Sequence, residues 1–422
     1  MSLIHGKFIG LACMLLFGLL THAMHAAPSS ESGNQADGSG DFQVIAFDQK
    51  LQLNSGGNLA FALGADGSLF IGCAHDTDDD HIAAEWIVEV FKVNPDGEIA
   101  WRKTISAAGT PKLAARPDGG VIAAISLQSK EKSSRILFLD QNGTVQAEWN
   151  QPSKPLVAMQ IFSLQSAFNG DALFLFFPHS QQKNHSMNDP WIACVSASGQ
   201  EKWLTHVRDG LRPFFLSVSP RGFVSWLGID IGSGAQSSLF TGGRVNSSEP
   251  PSVMDWQEPY KDRPVAMVSS LEENGVIYVV FEEETVNEMV YRIDRIYFLD
   301  KRGLQKKTIA RLPSWKAELF EKHVTKNQDA AHAWKRRLSV NIVSLPNGQV
   351  ALLDGWCSAR LTIFDVAGKI LHRHEYTGKG SAWGDALFYD TKAKTLHILG
   401  RMGEQGQMPW EVHEPFWVKY VL

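Results

Sequence analysis

Apolar residues fall in short runs along most of this chain, and polar turns ending in glycine separate them at regular distances. Leu59–Leu63 and Leu69–Ala74 flank Ala65-Asp66-Gly67. The same figure returns at Pro117-Asp118-Gly119-Gly120, Phe168-Asn169-Gly170, Pro220-Arg221-Gly222, Glu273-Asn274-Gly275 and Pro346-Asn347-Gly348. The glycines at 67, 119, 170, 222, 275 and 348 are 52, 51, 52, 53 and 73 residues apart. A second series is interleaved: Asp96-Gly97, Asn142-Gly143, Ser198-Gly199, Gly242-Gly243, Arg302-Gly303 and Ala367-Gly368. Asn-Gly and Asp-Gly supply the positive φ that tight hairpins need. The runs are short, alternating and rich in β-branched and aromatic residues, which is strand rather than helix. Each period therefore holds two hairpins, and four antiparallel strands per repeat make a β-propeller blade.

The pattern predicts an all-β, seven-bladed β-propeller of four-stranded antiparallel blades over residues 41–422. Blade 1 comprises Leu59–Leu63, Leu69–Ala74, Trp86–Val93 and Ile99–Ile105. Blades 2, 3, 5 and 6 repeat it, and blade 4 is irregular in its second half. Blade 7 has three C-terminal strands, Ala386–Tyr389, Thr395–Leu399 and Phe416–Val421. Its missing strand is Phe42–Phe47, which would close the ring and remove two exposed edges. The long 73-residue interval places extra residues after Gly303. Ser314 as an N-cap after Pro313, with Glu318 and Lys322 one turn apart, predicts a short helical insertion at about 314–337, between blades 5 and 6.

The N-terminus departs from this pattern. Lys7, the apolar run Phe8–Leu20 and small residues at Ala23, Ala26 and Ala27 form a secretory signal peptide over 1–27. Gly10 stands where a lipoprotein signal carries a large aliphatic before its cysteine, which argues against lipidation at Cys13. Residues 28–40 are small and polar, a disordered lead-in. These features predict a periplasmic or secreted protein with no transmembrane segment, acting as a monomer. Without residues 1–27 the chain carries 39 bases and 45 acids, a net charge of −6 that offers nucleic acid no basic face. Three cysteines remain, Cys73, Cys194 and Cys357, in blades that do not adjoin, and they are expected as unpaired packing thiols.

At Gly97-Glu-Ile-Ala-Trp101 and Gly199-Gln-Glu-Lys-Trp203, a glycine is followed four residues later by tryptophan. These stretches resemble the pyrroloquinoline-quinone-type (quinoprotein-like) propeller repeat, whose Gly-Lys-x-x-Trp tail closes each blade. Asn142-Gly143 with Trp149 is a looser copy, and in Gly368-Lys-Ile-Leu-His372 histidine replaces the tryptophan. The enzymes of that group carry eight blades, adjacent cysteines and a calcium site. Seven blades without an adjacent cysteine pair imply a non-enzymatic member with no cofactor, its tail tryptophans packing between blades.

Candidate chemistry gathers in the longer connections, opposite the uniform turns. His75 to His81 contains Asp76, Asp78 and Asp80, carboxylates at alternate positions that can converge on calcium. The loop lacks the glycine and the bidentate glutamate of a calcium-binding loop, which favours the alternative reading, a solvated acidic loop. Glu282-Glu283-Glu284 and Asp354-Gly355-Trp356-Cys357-Ser358-Ala359-Arg360 share that face, as do the loop histidines His179 and His185. Exposed aromatics beside carboxylates suit sugar or peptide recognition. The expected ligand surface is Asp78, Asp80, Glu283, Asp354, Trp356 and Arg360. Two functions follow: a binding or scaffold module for a protein or glycan of the cell envelope, or a glycan hydrolase or lyase using carboxylates at the central funnel. No serine elbow, phosphate loop or His-Glu-x-x-His motif is present.

Overall fold

The computed structural model describes residues 42–47, 59–75, 87–106, 109–127, 134–150, 159–178, 190–206, 211–218, 223–230, 238–242, 244–246, 256–260, 264–269, 275–286, 289–300, 306–316, 341–354, 359–365, 367–404 and 414–422. All belong to the compact unit Gly40–Leu422. Residues 1–41, Cys357, residues 76–81, His179 and His185 lie outside them.

The described chain is all-β, its helical content a single 3-10 turn at Pro346–Gly348. Strand β1 (Gln43–Ile45) comes first. A four-stranded antiparallel sheet follows, β2 (Leu59–Leu63), β3 (Leu69–His75), β4 (Ile87–Val93) and β5 (Ile99–Ser106). The second is β6 (Gly109–Ala115), β7 (Val121–Leu127), β8 (Arg135–Leu139) and β9 (Val145–Asn150). The third is β10 (Met159–Ser166), β11 (Ala172–Pro178), β12 (Trp191–Val195) and β13 (Glu201–His206). The fourth is irregular: β14 (Leu211–Val218), β15 (Phe223–Asp230), β16 (Ser238–Gly242) and β18 (Trp256–Tyr260), with β17 (Arg244–Asn246) also on β15. The fifth is β19 (Pro264–Ser269), β20 (Gly275–Val286), β21 (Met289–Asp300) and β22 (Lys306–Lys316). The sixth is β23 (Asn341–Ser344), β24 (Val350–Asp354), β25 (Ala359–Phe364) and β26 (Ile370–Tyr376). The last, β27 (Gly380–Asp390), β28 (Thr395–Glu404) and β29 (Glu414–Val421), is completed by β1. Gln43 lies opposite Lys419 and Ile45 opposite Trp417. The arrangement is β-propeller-like.

The turns repeat one hydrogen-bonding scheme. The N–H of Gly64 donates to the carbonyl of Ser68 at 2.8 Å, and that of Gly67 donates back to Gly64 at 3.0 Å. The same pair of bonds recurs from Asn94, Arg116, Asp140, Ala167, Ser196 and Asp365. Each requires a residue at positive φ, met by glycines such as Gly67 at 78° and Gly97 at 97°. A Cβ on Gly97 would also lie 2.0 Å from the Ala46 carbonyl.

Central strands are apolar on both faces: Leu69–Ile71, Val121–Ile125 and Ala172–Phe177 are buried throughout. Successive sheets therefore stack face to face. One cluster joins Phe70 and Val88 to Leu113 and Ala123. Another joins Phe138 and Trp149 to Phe174, and a third joins Trp203 to Leu216 and Trp226. The tail tryptophans sit in these seams. Trp101 donates its indole N–H to the Gln141 carbonyl at 2.8 Å across the first seam. The Trp149 ring lies 5.3 Å from that of Phe174 across the second. The last sheet packs on the first by the same means, Ile45, Leu399 and Trp417 meeting Ile71, Phe91 and Val93.

Two details depart from the sequence reading. Ser314, Trp315 and Lys316 do not start a helix. They end β22, with Trp315 opposite Arg292, and residues 317–337 lie outside the described residues. Strands β20 and β21 run twelve residues each, so β22 finds a long partner, and ladder pairing outweighs a local capping signal. Pro313 is tolerated because β22 is an edge strand. For the same reason Glu282–Glu284 is strand rather than loop, with Glu283 opposite Arg292.

The seam between last and first sheets holds a titrating group. His397 is buried, and its Nδ1 accepts the indole N–H of Trp417 at 3.1 Å, which requires a neutral ring. Burial, with a smaller push from Lys419 against an opposing pull from Asp390, lowers its pKa to about 4. Below the unfolded value near 6.5 the unfolded chain binds a proton that the native one refuses, so stability falls as pH drops through the window from 6.5 to 4. Wild type should lose roughly 2 kcal/mol more between pH 7 and pH 5 than His397→Gln, which keeps an acceptor for Trp417. Urea unfolding at the two pH values checks this, and parallel losses would contradict it.

Candidate functional site

At the sheet end opposite the hairpin turns, second and third strands lead out of the described residues into the polar stretches. Of the expected ligand surface, Asp354 and Arg360 are described fully and Glu283 by its backbone. Asp76, Asp78, Asp80 and Trp356 lie outside the described residues. Among the described residues no group of three or more His, Cys, Asp or Glu could hold a metal ion. Trp383 is buried within β27. Cys73 and Cys194 are buried thiols rather than disulfide partners, and burial pushes each up to about 12.

Asp354 ends β24 and faces Arg360 directly across the ladder to β25. Arg360 Nε lies 3.4 Å from the Asp354 carboxylate, which is largely buried. Backbone pairing thus brings together two residues six apart in sequence, held where strands β24 and β25 open into residues 355–358.

A second acid–base pair stands on the neighbouring sheet. Inner strands β10, β14, β19 and β27 each carry a register shift that leaves one extra residue: Phe162, Phe214, Val265 and Asp385. A bulge re-aims the side chain it carries. Three strands spend it on an apolar residue, and β27 spends it on Asp385. Arg401 of β28 grips that carboxylate side-on, Nε to Oδ2 at 2.9 Å and Nη2 to Oδ1 at 3.1 Å. From the sixth sheet, the Asn341 amide donates to the Asp385 carbonyl at 3.1 Å. Gly384, just before the bulge, lies so close to Leu353 that a Cβ there would be 2.7 Å from the leucine side chain. Asp385 follows Gly384 and Asp354 follows Leu353, so the two pairs occupy touching strands.

This arrangement is suited to recognition. The two described carboxylates here, Asp354 and Asp385, are each engaged by a guanidinium. Asp385 and Arg401 carry no loop motif, and reading sequence for polar connections passes over them. The signal available was an aspartate inside the apolar run Ala382–Tyr389, where the matching strands have phenylalanine or valine.

No protein family matches the chain, and no curated protein is similar to it. The quinoprotein-like resemblance therefore rests on the repeat tails alone. Among solved structures the chain is similar to puromycin hydrolase, at 12% identity and a TM-score of 0.47, over 85% of this chain and 53% of that one. It is similar to the Pyrococcus horikoshii acylaminoacyl peptidase at 11% identity and a TM-score of 0.47, over 82% and 49%. A luciferin-regenerating enzyme matches at 8% identity and a TM-score of 0.40, over 90% and 95%. The chain spans about half the length of the puromycin hydrolase and peptidase structures.

The Asp385–Arg401 pair gives a direct test of its structural share. Arg401→Met leaves a partly buried carboxylate without its two charge-assisted bonds and should cost about 1–3 kcal/mol in chemical unfolding. Asp385→Asn combined with Arg401→Met should recover part of that loss. A single variant as stable as wild type would show that the pair holds nothing together.

Proposed function

We propose that this protein is an exported, seven-bladed β-propeller, closed by its N-terminal strand, that binds a protein or glycan of the cell envelope through the end opposite its hairpin turns. Export is supported by Lys7, the apolar run Phe8–Leu20 and the small residues after it. No helix among the described residues is long and apolar enough to cross a membrane. The ring is supported by the succession of inner strands: β2 lies against β6, β6 against β10, β10 against β14, β14 against β19, β19 against β23, β23 against β27, and β27 against β2. The turn glycines support it too. Gly143 seats on Trp101 and Gly199 on the Glu148 carbonyl, each on the preceding sheet's outer strand, and Gly97 seats likewise on Ala46 just after β1.

The observation that carries the binding role is the contrast between the two ends. At one end seven of the described turns share a single hydrogen-bonding scheme, as connectors would. At the other, Asp354–Arg360 and Asp385–Arg401 stand on adjacent sheets beside connections that differ from repeat to repeat. Function on repeat scaffolds sits where loops diversify. Asp78, Asp80, Glu283, Asp354, Trp356 and Arg360 make the recognition surface in this reading, with Asp385 and Arg401 supporting it. The hydrolase or lyase reading would need a carboxylate free to act on a substrate, and Asp354 and Asp385 are each paired with an arginine.

A glycan array and an envelope-extract pull-down with the mature chain would identify the ligand. Trp356→Ala should then weaken binding by about 1–3 kcal/mol, as a central aromatic anchor does. Asp118→Lys, in a hairpin turn at the far end, should leave affinity unchanged. Loss of binding in Asp118→Lys with full binding in Trp356→Ala would place the ligand at the wrong end for this proposal.

A further inference from the structure

In the first three sheets the outer strand presents a tail tryptophan to the next sheet: Trp101, Trp149 and Trp203. The sixth sheet breaks the rule. Its Gly368 is followed four residues later by His372, and His374 comes two residues after that. Alternation along β26 puts His372, His374 and Tyr376 on one face, opposite Ile363, Leu361 and Ala359 of β25. That face looks onto the last sheet. The two imidazoles lie nearly parallel, centroids 6.2 Å apart and planes 17° from one another. His374 Nε2 is 2.9 Å from the Tyr420 hydroxyl, and its ring lies 5.7 Å from Phe42. His372 is exposed, His374 half-buried and Tyr420 buried. Arg373 and Glu375 alternate to the opposite face of the strand.

We propose that His372 and His374 form a two-imidazole chelate for a borderline divalent transition-metal ion, Cu²⁺ binding tightest, with Tyr420 positioning His374. Adjacent neutral imidazoles on a strand are donors suited to such ions, and copper(II) leads the order of affinities. When Nε2–H donates to the Tyr420 oxygen, Nδ1 is left as the metal-binding atom, the usual division of roles in a ligating histidine. A turn of the exposed His372 side chain toward it would bring both nitrogens to about 2.0–2.1 Å from one ion. Water completes the coordination. The site lies between β26 and β29, on the face of β26 opposite the one that carries Glu375, the ladder partner of Arg360, and it does not depend on the proposed binding role.

The test uses the full chain without an affinity tag, stripped of metal and titrated with Cu²⁺ at pH 7. Calorimetry counts the sites and electron paramagnetic resonance reports the coordinating nitrogens. Because the chain has 14 histidines, variants decide the assignment. Wild type should show one site with two nitrogen ligands that is missing from His372→Ala and from His374→Ala. Tyr420→Phe should keep both nitrogens and bind about tenfold more weakly, the loss expected for an outer partner of a ligating histidine. His372 is exposed, so its variant folds and decides alone if His374→Ala does not. A wild type that binds no Cu²⁺, or a His372→Ala protein with wild-type stoichiometry and spectrum, overturns the proposal. Unchanged affinity in Tyr420→Phe overturns the role given to Tyr420.

Discussion

A sheet that is apolar on both faces needs a neighbour on each side, and this requirement governs the whole chain. In β3, β7 and β11 the central residues are buried whichever way they point. An isolated four-stranded sheet of that kind would expose two apolar surfaces to water, at roughly 25 cal/mol for each Å² left uncovered. Stacking satisfies every inner face, but a linear stack leaves two ends bare. The contact of Ile45, Leu399 and Trp417 with Ile71, Phe91 and Val93 covers an apolar face of the last sheet with one of the first. Uniform turns and seam tryptophans serve that end: they set the spacing at which each sheet meets the next.

The same constraint divides the molecule into conservative and adaptable parts. Positive-φ glycines and their paired backbone bonds fix one end, where substitution meets either backbone strain or a neighbouring sheet. The other end is free of that demand. There a bulge can aim Asp385 at Arg401, and ladder pairing can set Asp354 against Arg360, without disturbing the stack. The outer strands have latitude too, since the sixth sheet can exchange its seam tryptophan for His372 while β26 remains paired.

Much of this was legible in the sequence because turn chemistry is local. Strands such as Leu59–Leu63, Val121–Leu127 and Val350–Asp354 are bounded by glycine turns, and their limits can be read directly. The role of Phe42–Phe47 followed by counting, since the last repeat was one strand short. What could not be read depends on distant partners. Ser314 looks like a helix cap until β21 is long enough to pair with Trp315. Glu283 looks like loop for the same reason. Asp385 is one polar letter in an apolar run, and only the register shift against β28 shows why it is there. His372 was legible as a departure from the repeat, but its neighbours His374 and Tyr420 are set together by the sheet seam.

The account turns on the N-terminal strand being an integral part of the last sheet. Native-state hydrogen exchange of residues 42–47 and 414–421 examines this most directly, because ladder amides exchange only when the ladder opens. The account predicts that the two segments are protected to a similar degree and open together with the first sheet. Exchange of residues 42–47 at the rate of an unstructured peptide, with 414–421 still protected, would contradict it.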